Sequence, residues 1–254
     1  MDYDDNFVRG LEFLWGDGLL SPGGIGELSE IFKNTDANGK LVLDIGCGIG
    51  GFDRMMIKNH GVRQVVAIDI VEYLVDRARA DAKQAGLAQR IDYRLVEPGP
   101  LDFDGETFDI VFTKDTIVHV EDKRSAYEEI FRVLKSGGVF AGSDWLGSDA
   151  TGNSERVRDW LDYSGLEFYF CTARELRNLM EKVGFETVTT RDRTKWYLEE
   201  VRQEVAKVTG DSRKRFVELF GEETAQFRYG SSSRKMRVAE AGELCPTLIR
   251  AVKP

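Results

Sequence analysis

The chain is short of positive charge. Against 44 aspartates and glutamates it carries 35 lysines and arginines, a formal net charge of −9. A partner built on a phosphate backbone calls for a basic footprint, so no nucleic-acid partner is expected. Long apolar runs are also missing. None approaches the roughly 20 residues of a membrane span, and the opening MDYDDNFVRG is acidic, unlike a secretory signal. Cysteine is scarce: Cys47, Cys171 and Cys245 are far apart, odd in number and form no CxxC or Cys/His cluster. They read as reduced thiols of a cytoplasmic protein, with no disulfide framework and no metal site. Histidine is scarcest, with two in 254 residues.

What is present suits a soluble globular protein with a sizeable core: 42% hydrophobic and 31% charged residues over a length typical of one large domain. From Leu41 to Leu146 apolar strands alternate with amphipathic helices. KLVLDIG, QVVAIDI, IDYRLVE, FDIVFTKD and VFAGSDWL read as strands. FDRMMIKNHG, VEYLVDRARADAKQAG and KRSAYEEIFRVLKSGG read as helices, the last capped by Asp122 and closed by Gly137. Near-continuous apolar strands between helices imply a parallel sheet covered on both faces. Beyond Leu146 the chain turns polar, then aromatic. TARELRNLMEKVG opens with a Thr172–Glu175 capping box, FETVTTRD alternates as a strand, and residues 193–242 read as mostly helical, with YGSSSRKM as an interruption. CPTLIRAVKP reads as the last strand. The fold expected is α/β, Rossmann-like and doubly wound, with a mostly parallel seven-stranded sheet, an N-terminal cap and a helical lid inserted before the last strand.

The strongest signal is LVLDIGCGIGG, a strand running into Gly46, Gly48, Gly50 and Gly51 and then a helix. Such turns let a ligand lie against the main chain outside the carboxyl ends of the strands. The glycines satisfy GxGxxG, which alone is a weak dinucleotide signature. Asp44, just before them, discriminates: it would repel a pyrophosphate and attract the ammonium and sulfonium of S-adenosylmethionine. At an effective dielectric near 20, unit charges about 4 Å apart interact by roughly 4 kcal/mol. Asp69, ending the second strand, is placed for ribose hydroxyls, as it would be in a nicotinamide site. Glu97, ending the third, is placed for an adenine amino group. This order of acid, glycines, acid and acid resembles the nucleotide end of class I S-adenosylmethionine-dependent methyltransferases.

A closer resemblance lies in LEFLWGDGLLSPGG, Leu11 to Gly24, which is similar to the aromatic–Gly–acid … Ser–x–Gly–Gly segment of phosphoethanolamine N-methyltransferases. In that family it closes over the methyl donor. The resemblance runs through the sheet into YGSSSRKM, clear in the donor half and patchy in the acceptor half. It implies one methyltransferase domain: a cap over 1–24, a cofactor-binding core over 25–146, an acceptor-side lid over 147–242 and a final strand over 243–254. It further implies donor contacts from Ser21, Ile70, Pro98 and Lys114.

One histidine sits in FTKDTIVHV, Phe112 to Val120. The resemblance implies a catalytic set of Tyr3, Asp115 and His119. On a short helix after the strand, residues four apart share a face, which would turn Asp115 and His119 into one pocket. Asp115 would hold an ammonium and His119, with Tyr3, would take its proton. His60, beside Gly61, reads instead as a helix cap. Where the family binds phosphate, its tyrosines correspond to Leu11, Asp162, Trp145 and Phe168, its arginine to Leu166, and only Lys235 keeps its type; a slip of one residue would bring in Tyr163 or Tyr169. Loss of the arginine removes a bidentate, charge-assisted contact. With Phe170 alongside, an apolar and aromatic pocket is expected, for a small acceptor without a phosphate.

The expected function is methyl transfer from S-adenosylmethionine, leaving S-adenosylhomocysteine, to an amine of a non-phosphorylated acceptor. Open alternatives are a carbon, oxygen or sulfur acceptor such as an indole ring carbon, phosphoethanolamine itself, a donor-binding protein without turnover, and a nicotinamide-dependent oxidoreductase.

Overall fold

The computed structural model describes residues 4–149 and 151–254. Five strands form its parallel part: β1 (Leu41–Ile45), β2 (Gln64–Asp69), β3 (Ile91–Leu95), β4 (Phe108–Lys114) and β5 (Leu134–Leu146). β6 (Glu186–Asp192) and β7 (Cys245–Val252) complete one seven-stranded sheet in the order β3-β2-β1-β4-β5-β7-β6, with β7 antiparallel to both neighbours. Alternation along each strand sorts side chains to two faces. Val42, Val65, Ile110 and Phe112 face one apolar cluster, and Leu43, Val66 and Val111 face the other.

The first cluster is covered by α2 (Gly24–Ile31), α3 (Gly51–Asn59) and α4 (Glu72–Gln84), the second by α5 (Lys123–Val133) and α7 (Ala173–Val183). Asp122 caps α5 and the Thr172–Glu175 box opens α7. α5 ends at Val133, earlier than the sequence predicts: Leu134 to Gly138 already belong to β5, whose pairing with β4 shifts register between Phe108 and Ile110.

Outside this sandwich lie α1 (Asp5–Trp15), α6 (Glu155–Ser164), α8 (Thr194–Thr209), α9 (Arg213–Phe220) and α10 (Glu222–Glu240). Two of the helices have no forerunner in the sequence reading. α2 sits in a stretch left unassigned, and α6 in one read only as polar, although Ser154 accepts from Val157 N–H and Gly165 closes it. YGSSSRKM is not an interruption but the middle of α10. Its small residues let neighbours approach. Tyr163 packs where a side chain on Gly230 would be, Ser231 bonds Ser164, and Ser232 bonds Glu204. Tertiary contact outweighs the weak helix propensity of glycine and serine.

Sheet order reverses between β1 and β4, the point at which open α/β sheets bind ligands. The two strands are paired in register up to Ile45 and Thr113. Both strands of the sequence-predicted site therefore end side by side.

Candidate active site

Asp44 and the glycine turn occupy the end of β1. Gly46, Gly48 and Gly50 adopt φ of 78°, 55° and 72°, the left-handed region that glycine enters without strain. Their missing side chains also make room for the protein itself. A Cβ on Gly46 would lie 2.3 Å from Thr116 Oγ1, one on Gly48 would lie 2.9 Å from Leu20, and one on Gly51 would lie 2.0 Å from the Gly18 carbonyl. Thus the N-terminal segment lies directly on the turn, and the end of β4 touches it from the other side. Glu12 anchors the segment, accepting from Gly18 N–H at 2.8 Å and pairing with Arg77 at 3.3 Å.

Beneath the turn three carboxylates gather: Asp44, Asp53 and Asp69, with 2%, 0% and 9% exposure. Asp69 is partly engaged, accepting from Gly48 N–H at 2.9 Å and Val71 N–H at 3.0 Å, so it braces the turn as well as facing the crevice. Oδ1 of Asp44 and both oxygens of Asp53 are buried without a hydrogen-bond partner among the described residues. Burial, reinforced by Asp53 and Asp69, raises Asp44 well above the carboxylate range. Burial pushes Asp53 up to about 6, against the pull of Asp44, Tyr93 and Arg54. Desolvation raises Asp69 against its backbone hydrogen bonds. Arg54 is itself engaged by the Ile49 carbonyl at 2.7 Å. Such a cluster is satisfied by a proton or by a cation. A ligand with an ammonium and a sulfonium fits it, and a pyrophosphate does not. Ile70, 58% exposed at the end of β2, gives an apolar surface beside the exposed Glu97 and Pro98 after β3. Ser21 is half-buried in the covering segment.

The end of β4 builds the second half. Asp115 has φ +55°, while its N–H still donates to Ser143 O at 2.8 Å. The strand pairing holds the backbone, and the left-handed kink redirects the side chain. A 3₁₀ turn, Ile117–His119, follows. Asp115 and His119 are therefore not on one face of an α-helix as the spacing suggests, because the kink at Asp115 precedes the turn. They are still electrostatic neighbours. Withdrawal from water lowers the His119 pKa below its ordinary value, opposed by a Glu167 backbone group and by Asp115. The ring is thus neutral near pH 7. Phe168 stands edge-on to it at 4.8 Å.

Buried Trp145, Trp160 and Tyr197 and half-buried Phe168 continue from there as a wall, with ring centroids 5.4 to 5.8 Å from Trp145, and Leu166 and Phe170 pack against it. Asp115 Oδ1, Trp160 Nε1 and Tyr197 Oη are buried there without hydrogen-bond partners among the described residues. At the far end Lys235 Nζ lies 5.8 Å from the Trp145 ring and 3.0 Å from each Glu204 oxygen.

Of the sequence-predicted residues, Asp44, Gly46, Gly48 and Asp69 converge, as do Asp115, His119, Trp145, Leu166 and Phe168. Lys114 does not face the donor side freely, since it is ion-paired with Asp115 in a buried contact. Leu11 is buried in α1. Tyr163 stacks on Phe227 at 5.7 Å beneath Arg234, and Tyr169 bonds Glu167, so neither replaces a lost tyrosine in the wall. His60 is the C-cap of α3. Tyr3 lies outside the described residues. Asp53, Tyr197 and Glu204 were missed. Each is a polar residue on a helix, and only the tertiary contacts reveal that it is buried.

Residues 43–142 match the family described as Methyltransferase domain. The chain is 30% identical over 233 residues to a phosphoethanolamine N-methyltransferase of Triticum aestivum, covering 91% of this chain and 45% of the relative. It is 37% identical over 158 residues to sterol 24-C-methyltransferase erg6 of Aspergillus fumigatus, covering 61% of this chain and 42% of the relative. The structure of Haemonchus contortus phosphoethanolamine N-methyltransferase 2, with phosphomonomethylethanolamine and S-adenosylhomocysteine, superposes with TM-score 0.91 at 23% identity, covering 99% of this chain and 58% of that one. Domain match and fold make the chain similar to the class I S-adenosylmethionine-dependent methyltransferases, of which solved structures hold S-adenosylhomocysteine or S-adenosylmethionine. Within that class it is similar to the phosphoethanolamine N-methyltransferases over most of its length, and it spans about half the length of the curated plant relatives it matches.

Proposed function

We propose that the chain methylates an amine nitrogen of a small, non-phosphorylated acceptor with apolar or planar character. The observation that carries this reading is the pairing of a buried Asp115 oxygen, unpartnered among the described residues, with a neutral His119 at the mouth of an aromatic wall. Asp44 and Asp69 would hold the donor's ammonium tail and ribose, and Ile70 and Glu97 its adenine. Bound S-adenosylmethionine supplies a methyl group already activated on cationic sulfur. The protein's tasks are alignment, exclusion of water and removal of one proton. Asp115 Oδ1 accepts from the acceptor's ammonium and orients it. His119, uncharged near pH 7, takes the proton, so that nitrogen presents a lone pair and a repulsive charge is removed. Tyr3 is assigned beside His119 by family resemblance.

Where the related enzymes' phosphate site would lie, the structure has Trp145, Leu166 and Phe168 packed as an apolar cluster, which supports an acceptor without phosphate. A screen with labelled donor against amines, indoles, thioethers and phosphobases tests the reading. Turnover is expected with an amine and should be poor with phosphoethanolamine; efficient methylation of phosphoethanolamine would contradict it. His119→Ala should lower kcat by about 10²- to 10⁴-fold with donor affinity little changed, and unchanged kcat would remove His119 from the chemistry. A second reading, transfer to carbon, is favoured by the same wall and by the likeness to a sterol C-methyltransferase. Turnover of an indole with none of any amine would select it.

A further inference from the structure

Lys235 is the residue through which an anionic acceptor tail would be expected to bind, yet its charge is already matched. It is 4% exposed, and its Nζ lies 3.0 Å from both oxygens of Glu204. Glu204, also 4% exposed, accepts in addition from Ser232 Oγ and from Trp15 Nε1 at 3.3 Å, so the carboxylate is fixed from α1, α8 and α10 together. The ammonium sits among the rings of Trp15, Trp145 and Tyr197 at 5.4 to 5.9 Å. A lysine in this setting has its charge cancelled by a salt bridge and its remaining hydration replaced by aromatic faces. The other lysine buried on this side, Lys114, is likewise bound to a carboxylate.

We infer that Glu204 is a specificity-determining residue: it holds Lys235 as an internal counter-ion and thereby rejects acceptors with an anionic tail. The assignment rests on the methyltransferase reading above and deepens it by naming the acceptor class. That class is an amine whose other end is uncharged and hydrogen-bonding. An anion approaching Lys235 must displace Glu204 or lie against it, and like charges at that distance in a dry site repel strongly. A neutral hydroxyl or carbonyl meets no such repulsion, and Tyr197 Oη and Trp160 Nε1, both buried in the same wall and unpartnered among the described residues, are available to it.

The test is calorimetric titration of the full chain, saturated with S-adenosylhomocysteine, with phosphoethanolamine as the anionic probe. Wild type should show no saturable binding. Glu204→Gln, which keeps partners for Ser232 and Trp15 but frees the lysine, should bind at least about tenfold more tightly. Adding Lys235→Met to that variant should abolish the gain. Equal affinity of wild type and Glu204→Gln, or a gain that survives loss of the lysine, overturns the assignment. Should the glutamine variant not fold, wild type against Lys235→Met decides. No binding by wild type supports the assignment, whereas binding that Lys235→Met weakens shows the lysine open to anions and overturns it. Failure of wild type to bind S-adenosylhomocysteine at all would overturn the methyltransferase reading itself, a result distinct from phosphoethanolamine binding by a donor-competent chain.

Discussion

Asp44 and Asp53 face each other beneath the glycine turn with more negative charge than their surroundings neutralise. Their raised proton affinity has a definite sign. In the donor-free chain Asp44 holds its proton well above the carboxylate range and Asp53 takes up a second below about pH 6, and a cationic tail must displace the protons bound. Donor affinity should therefore rise with pH through about 6, as Asp53 ionises. Below about pH 6 it should fall by up to roughly tenfold per unit for one proton released. Titrations in buffers of different ionisation enthalpy measure that proton directly, and a pH-independent affinity with no proton released would contradict the account. Stability runs the other way. Carboxyls with raised folded-state pKa, Asp53 at about 6 and Asp144 at about 7, contribute stability that is complete below the ordinary carboxylate range. That contribution is lost as pH rises through those values. At this scale the sequence shows Asp44, because a strand and a glycine turn fix its place. It does not show Asp53 or Glu204, because an acid on a helix normally faces water and only neighbours distant in sequence bury it. Asp115 and His119 were legible as a pair, but the left-handed kink that joins them was not.

The elements around the site are held by a few polar ties. Arg193, before α8, pairs at 2.6 Å with the fully buried Glu27 of α2, and Arg156 of α6 pairs at 2.6 Å with Glu243 just before β7. The helices of the lid meet where α10 is smallest. A Cβ at Gly230 would lie 2.2 Å from Tyr163 Oη. Gly230→Ala should accordingly destabilise the fold by about 1–3 kcal/mol despite alanine's better helix propensity, with the acceptor wall disturbed more than the donor pocket. Urea denaturation and S-adenosylhomocysteine titration of the variant check both parts; a more stable variant would show that this contact is loose. The same contact explains why YGSSSRKM looks like a break when read locally. The strands were legible because their apolar runs need no context. α2 and α6 were not, since their apolar faces are short and earn their burial only against the sheet and α10.

At the scale of the whole molecule, the reversal of strand order sets β1 and β4 side by side, so the acidic pocket and the Asp115–His119 corner share one crevice. The N-terminal segment covers it from one side and the lid's aromatic wall extends it on the other. Fold class, the strand alternation and the position of the crevice follow from the order of strands, glycines and acids. The charge balance of the acceptor side follows only from the assembled structure. The central claim is that this crevice is charged for a cationic sulfur cofactor. Its most direct test is calorimetry of the wild type and Asp44→Asn with S-adenosylhomocysteine and with a nicotinamide dinucleotide. The account predicts saturable binding of S-adenosylhomocysteine to wild type, weakened about tenfold or more by Asp44→Asn, and none of the dinucleotide. Binding of the dinucleotide alone would contradict it.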